Sequence, residues 1–135
     1  MGELRSESRV VATSECGVLR IFEFTGTHDS THGRTMFDYI QEHLTNAQVS
    51  GVIIDLLGYE YEFGNDVFCV FLTGSYRRSQ NWLPLCILAQ GATRAALESL
   101  LRAGNLGSLA DMTSFASSRE EALGWLSVQV KKESA

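Results

Sequence analysis

The sequence predicts an α/β fold, a mixed β-sheet of about four or five strands packed with about four helices. Three observations carry that prediction. Residues 50–57, Ser-Gly-Val-Ile-Ile-Asp-Leu-Leu, form a strand-length, β-branched apolar run with little polar face, as a central strand covered by helices requires. Val18, Arg20, Phe22 and Phe24 alternate with Leu19, Ile21 and Glu23, the period-2 signature of a strand. Between such runs, apolar residues recur at helical spacing, first at Met36, Phe37, Ile40 and Leu44.

Residues 1–8 are polar and read as a flexible N-terminus, ahead of a single domain over residues 9–130 and a flexible tail at 131–135. Residues 9–14 alternate weakly, Glu15-Cys16-Gly17 turns the chain and residues 18–24 return, so a β-hairpin opens the fold. Residues 25–30 combine Gly, Asp and Ser, a loop handing over to an amphipathic helix over residues 31–44. After the central strand, Gly64-Asn65-Asp66 opens a second helix that carries Phe68, Phe71, Leu72 and Tyr76 on or near one face. Residues 84–90 give a short buried strand with the sole proline at its entrance. Ala95, Ala96, Leu97, Leu100 and Leu101 form a helical stripe closed by Gly104. Residues 109–115 supply a last short edge strand. Ser118-Arg-Glu-Glu121, ahead of Ala122, Leu123, Trp125 and Leu126, is a capping box that starts the final helix.

Composition narrows the function classes. At 135 residues and 44% hydrophobic, the chain has the core of one ordinary domain. A net charge of −5 argues against an extended nucleic-acid footprint, which rests on clustered Lys and Arg. The basic pairs Arg77-Arg78 and Lys131-Lys132 read as solvated surface. No apolar run approaches the roughly 20 residues that span a bilayer, and the first residues hold no hydrophobic signal core, so no membrane insertion is expected. Cys16, Cys69 and Cys86 are odd in number and dispersed, which excludes a disulfide framework and points to a reducing, cytoplasmic setting.

Two stretches carry a family resemblance. Asp55-Leu56-Leu57-Gly58, a loop, then Asn65-Asp66 and an apolar helix resembles the central segment of STAS domains, the anti-anti-sigma-factor class. Gly26-Thr27-His28-Asp29 sits where that family shows Gly-Glu-Leu-Asp, and residues 100–106 with Phe115, Ser117 and Glu120-Glu-Ala-Leu123 resemble its close. The resemblance covers residues 10–128. It implies the STAS order of elements and a non-catalytic protein-interaction module of bacterial signalling, without cofactor or metal. The implied partner is a protein, either an anti-sigma-factor-like kinase or another STAS protein; oligomeric state is left open. The family's phosphorylated Asp-Ser-Ser-Gly falls on Phe63, Gly64, Asn65 and Asp66, so the switch serine is missing here.

The candidate binding residues are therefore Gly26, Asp29, Glu60, Glu62, Gly64, Asn65 and Asp66. Asp66 would hold a fixed carboxylate where the family's phosphate acts, ringed by Glu60, Glu62 and Asp29; its plainer role is a helix cap. Asp29 has the same two readings. One alternative is a small-ligand or nucleotide-binding module at the helix N-terminus of Asn65. Another is a small acid/base enzyme built on Asp29, Glu60, Glu62 and Asp66. His28, His32 and Asp29 make a poor metal set, because His28 lies in the loop and not on a helical turn with His32.

Overall fold

The computed structural model describes residues 4–13, 17–27, 32–44, 49–60, 77–78, 81–82, 84–103 and 113–134. Within them the chain is α/β. β1 (Arg5–Thr13) and β2 (Gly17–Thr27) form the opening antiparallel hairpin, with Thr13 opposite Gly17 and Arg5 opposite Thr25. Gly17, where β2 begins, has φ +72°, a conformation that costs a residue without Cβ little. α1 (His32–Leu44) leads to β3 (Gly51–Asp55), which adds to β2 in parallel. Two-residue strands follow, β4 (Tyr59–Glu60), β5 (Arg77–Arg78) and β6 (Asn81–Trp82). β7 (Leu85–Leu88), α2 (Gly91–Ala103), β8 (Thr113–Ala116) and α3 (Arg119–Ser134) complete the order.

The main sheet runs β1-β2-β3-β7-β8, with β4 pairing the end of β2, which makes six strands. β5 and β6 form a separate antiparallel pair. Only β1 runs against its neighbour; β2, β3, β7 and β8 are mutually parallel. Parallel strands need coverings on both faces, and the sequence supplies them. Phe22, Phe24, Val52, Ile54, Leu85 and Ile87 point to the face covered by Met36 and Ile40 of α1 and Leu97 of α2. Leu19, Ile21, Ile53, Cys86 and Leu88 point the other way, against Ala122 and Leu126 of α3. Ile53 and Ile54 are both fully buried, on opposite faces, as alternation along a central strand dictates.

Local chemistry explains the helices. Tyr39 of α1 meets Phe22 and Phe24 edge to face at 6.0 and 5.9 Å, and His43 stacks on Tyr39 one turn later at 4.1 Å. Burial raises the Tyr39 phenol above its usual value, partly offset by the Arg20 charge. α3 begins with the expected cap: the Ser118 hydroxyl accepts the Glu121 N–H at 3.2 Å, while the Glu121 carboxylate reaches back to the Ser117 N–H.

Several boundaries differ from the sequence reading. β1 starts at Arg5, inside the stretch read as a flexible N-terminus, because pairing with β2 recruits the polar alternation Arg5-Ser-Glu-Ser-Arg9 into the hairpin. α3 runs to Ser134, through the tail read as loose, since no Gly or Pro follows Gly124 to stop it. The last strand is Thr113–Ala116, reaching one residue past the end of the stretch assigned to it, and residues 109–112 of that stretch lie outside the described residues. The sheet has six strands where four or five were expected, because β4 adds to the end of β2. Three helices are described; the helix expected after Asp66, like the Gly104 cap, lies outside the described residues.

Candidate functional site

The site is built where the parallel strands end. β2 and β3 pair with Leu19 opposite Gly51, but further along Gly26 lies opposite Tyr59, so the β3 side holds one more residue than the β2 side. The extra residue is taken up by a turn over residues 56–59, in which the Leu56 carbonyl accepts the Tyr59 N–H at 3.0 Å. This acts as a bulge, and bulges re-aim the side chains that follow them. Gly58 then comes close to β2, where its carbonyl accepts the Gly26 N–H at 3.1 Å. A Cβ on Gly58 would meet Thr25 Cγ2 at 2.8 Å. Gly26 has φ +133°, a region that L side chains rarely adopt, so both glycines are demanded by the geometry.

Three polar contacts hold this turn. Asp55, 5% exposed, accepts the Leu57 N–H at 3.0 Å, an Asx-turn at the end of an otherwise apolar strand. Its other oxygen receives Arg119 Nη2 from the start of α3 at 3.2 Å, and the same guanidinium nitrogen lies 3.7 Å from Glu23. Arg119 thus fastens the ends of β2 and β3 to α3. On the opposite face, the Thr93 hydroxyl of α2 donates to the Tyr59 carbonyl at 3.4 Å, and the Tyr59 ring is buried in the core beneath.

Over this turn lies an open depression of about 490 Å³, lined by Gly26, Leu56, Leu57, Gly58, Tyr59, Glu60, Gln90 and Thr93. The carboxyl ends of parallel strands are where open α/β sheets place their binding crevices. Glu60 and Gln90 stand exposed at its rim, while Leu56, Tyr59 and Thr93 are buried at its base. Of the candidate residues named from sequence, the structure brings Gly26 and Glu60 together here, on paired strands. Asp29, Glu62, Gly64, Asn65 and Asp66 lie outside the described residues, as do His28 and Cys16 and Cys69. Asp55 entered the sequence reading only through the family resemblance and Arg119 only through the helix cap, and neither they nor Gln90 and Thr93 were named as site residues. Asp55-Leu56-Leu57 has Asx-turn spacing and was the one legible signal; Arg119 is 64 residues from Asp55, a separation that no local pattern spans.

Among the described residues, no helix is long and apolar enough to cross a membrane. No protein-family model matches the chain, and no curated protein matches it in sequence. A solved structure is similar in fold: an uncharacterized protein of the DUF3478 family with a SpoIIAA-like fold, from Shewanella loihica PV-4. It is 13% identical, aligns over 93% of this chain and 95% of its own, and superposes with a TM-score of 0.55. At that identity the likeness concerns the fold, and with the strand order and helix placement described above, this chain folds as a SpoIIAA-like, STAS-like domain.

Proposed function

We propose that this domain is a non-catalytic protein-interaction module of cytoplasmic bacterial signalling, which engages its partner through the depression at the carboxyl ends of β2, β3 and β7. The observation that carries the reading is the construction of that depression. Its base is fixed by main-chain hydrogen bonds and by the Asp55–Arg119 pair, and its rim offers an exposed carboxylate and an exposed amide beside half-buried Leu57. A fixed base with a polar, charged rim suits the polar contacts of a protein-binding surface. The partner is an anti-sigma-factor-like kinase or another STAS protein, as the family resemblance implies.

The switch of that family is replaced by fixed chemistry. Residues 57–66 contain no Ser or Thr, so a serine kinase has no hydroxyl to phosphorylate there. Binding is then governed by standing charge, that of Glu60 on the rim together with Glu62 and Asp66 further along the sequence, and the domain stays in one binding state.

Photo-crosslinking in the native host tests the assignment. A photoreactive residue at Glu60 or at Gln90 captures the same protein, and one at Val128, exposed on α3, does not. Capture from Val128 with none from the two rim positions places the interface on α3 and overturns the reading. A small-ligand or nucleotide site is the second reading, favoured by one observation: the volume falls within the roughly 300–1,000 Å³ of small-molecule pockets. A nucleotide that raises the melting temperature of the parent protein and not of a Gly58→Val variant supports it.

A further inference from the structure

We infer that β1 is the docking edge for a second copy of this chain, joined antiparallel about a two-fold axis at Ser8. β1 ends the strand order of the main sheet and, among the described residues, pairs only with β2. It is nine residues long, and so long a free edge offers a row of unpaired N–H and C=O groups to another strand. Its side chains supply the register. Glu7 and Arg9 project from one face of the sheet, and neither has an ion-pair partner among the described residues. Within the sheet Glu7 stands opposite another carboxylate, Glu23, and Arg9 stands opposite Ile21. Like charges directly opposite are destabilising, so across the β1–β2 ladder Glu7 faces no counter-charge.

An antiparallel edge pair about a two-fold axis places residue i opposite a residue of the same parity, which limits the registers to steps of two. Centred on Ser8, the pairing sets Glu7 against Arg9 of the second copy and Arg9 against its Glu7, two opposite-charge pairs for one interface. It also sets Ser8 against Ser8. The Ser8 hydroxyl is turned into the single chain, where it has no hydrogen-bond partner, and rotation of this half-buried side chain toward the axis would bring it to the second copy's hydroxyl. Val10, 56% exposed, is covered by the second copy's Ser6 and backbone. Centred on Glu7, Arg5 would oppose Arg9 and Glu7 itself; centred on Arg9, Arg9 would oppose itself. The charges on this edge therefore reject the two neighbouring registers; a pairing centred on Ser6 would set Arg5 against Glu7 but Ser8 against Leu4, so a cross-link between two copies at position 8 tells the two apart. No residue of β1 lines the depression, so the two surfaces are separate.

Sedimentation equilibrium of the full chain tests the edge. The parent protein forms a reversible dimer; Glu7→Lys and Arg9→Glu each raise the dimer dissociation constant by about tenfold or more, since each turns both attractive pairs into repulsive ones. The swap Glu7→Lys/Arg9→Glu restores attraction in both pairs and returns the constant to within about threefold of the parent, while circular dichroism stays unchanged throughout. A parent protein that remains monomeric at about 0.5 mM overturns the inference, a concentration at which even a weak specific contact is populated. So does a swap that stays as weak as the folded single variants, because then the charges do not face each other. Ser8→Cys reads the register directly: mild oxidation yields a disulfide between the two copies at that position, and Val10→Cys, whose opposite residue is Ser6, yields none.

Discussion

In β3 every residue from Gly51 to Asp55 is buried, whereas in residues 56–60, which follow without a break, burial alternates: Leu56 and Tyr59 are inside, and Gly58 and Glu60 are exposed. The two segments are neighbours in sequence and differ in what holds them. β3 is fixed by apolar contact on both faces and by ladders to β2 and β7. The segment after it is fixed by a handful of hydrogen bonds and one ion pair, by Gly58, where a Cβ would crowd Thr25, and by Gly26 at positive φ beside it. Burial of apolar surface is insensitive to detail and large in sum; the polar turn is smaller in energy and specific in geometry. The fold should therefore break in β3 and the function in the turn.

The largest effect tests the first half of that contrast. Ile53→Asp or Ile54→Asp buries a carboxyl among apolar side chains with no partner, at a cost of roughly 3–5 kcal/mol, enough to remove much of a small domain's stability. Urea denaturation should show the loss in both variants alike, because the residues are fully buried on opposite faces. An unchanged midpoint in either would disprove the central-strand packing.

Arg119→Ala comes next. It leaves the Asp55 carboxylate, 5% exposed, with the Leu57 N–H alone, at an expected cost of about 1–3 kcal/mol by thermal melting. Gly26→Ala should cost about 1–2 kcal/mol through backbone strain at φ +133°. If the turn were held by burial like β3, neither change would exceed a few tenths.

Cys86 sharpens the comparison through pH. It lies opposite Ile53 on β7, and burial, with a smaller push from Glu121, raises its thiol from 9.0 to about 12. The raised value favours the neutral thiol in the folded state. Its contribution to stability is thus complete below pH 9 and declines between about 9 and 12, where the unfolded chain ionises first. At pH 8, iodoacetamide followed by peptide mapping should leave Cys86 unmodified in the folded protein and modify it in denaturant; rapid labelling of the folded protein would mean that this part of the core opens.

The sequence made the sheet centre easy to read and the site hard, for the same reason. Residues 50–57 announce a buried strand because apolar burial is written in consecutive residue types, and the helices at residues 31–44 and 118–126 follow from spacing and caps. Gly26 and Glu60 were legible as loop residues. The Asp55–Arg119–Glu23 cluster was not, because its members are brought together only by the tertiary fold, and the one-residue offset between β2 and β3–β4 leaves no trace in composition. The same limit hid the extent of β1, whose polar alternation becomes a strand only because β2 is there to pair with it.

The smallest expected effect on stability is also the sharpest test of function. Glu60 is exposed at the rim of the depression, so Glu60→Lys should change folding stability by no more than about 0.5 kcal/mol. With the partner captured from positions 60 and 90 in hand, isothermal titration of that partner against the parent, Glu60→Lys and Val128→Lys measures the claim directly. The account predicts that Glu60→Lys weakens binding by about tenfold or more while Val128→Lys leaves it unchanged, since reversing a charge at the interface acts on affinity and adding one elsewhere does not. Equal affinities for the parent and Glu60→Lys, with both proteins folded, would contradict it.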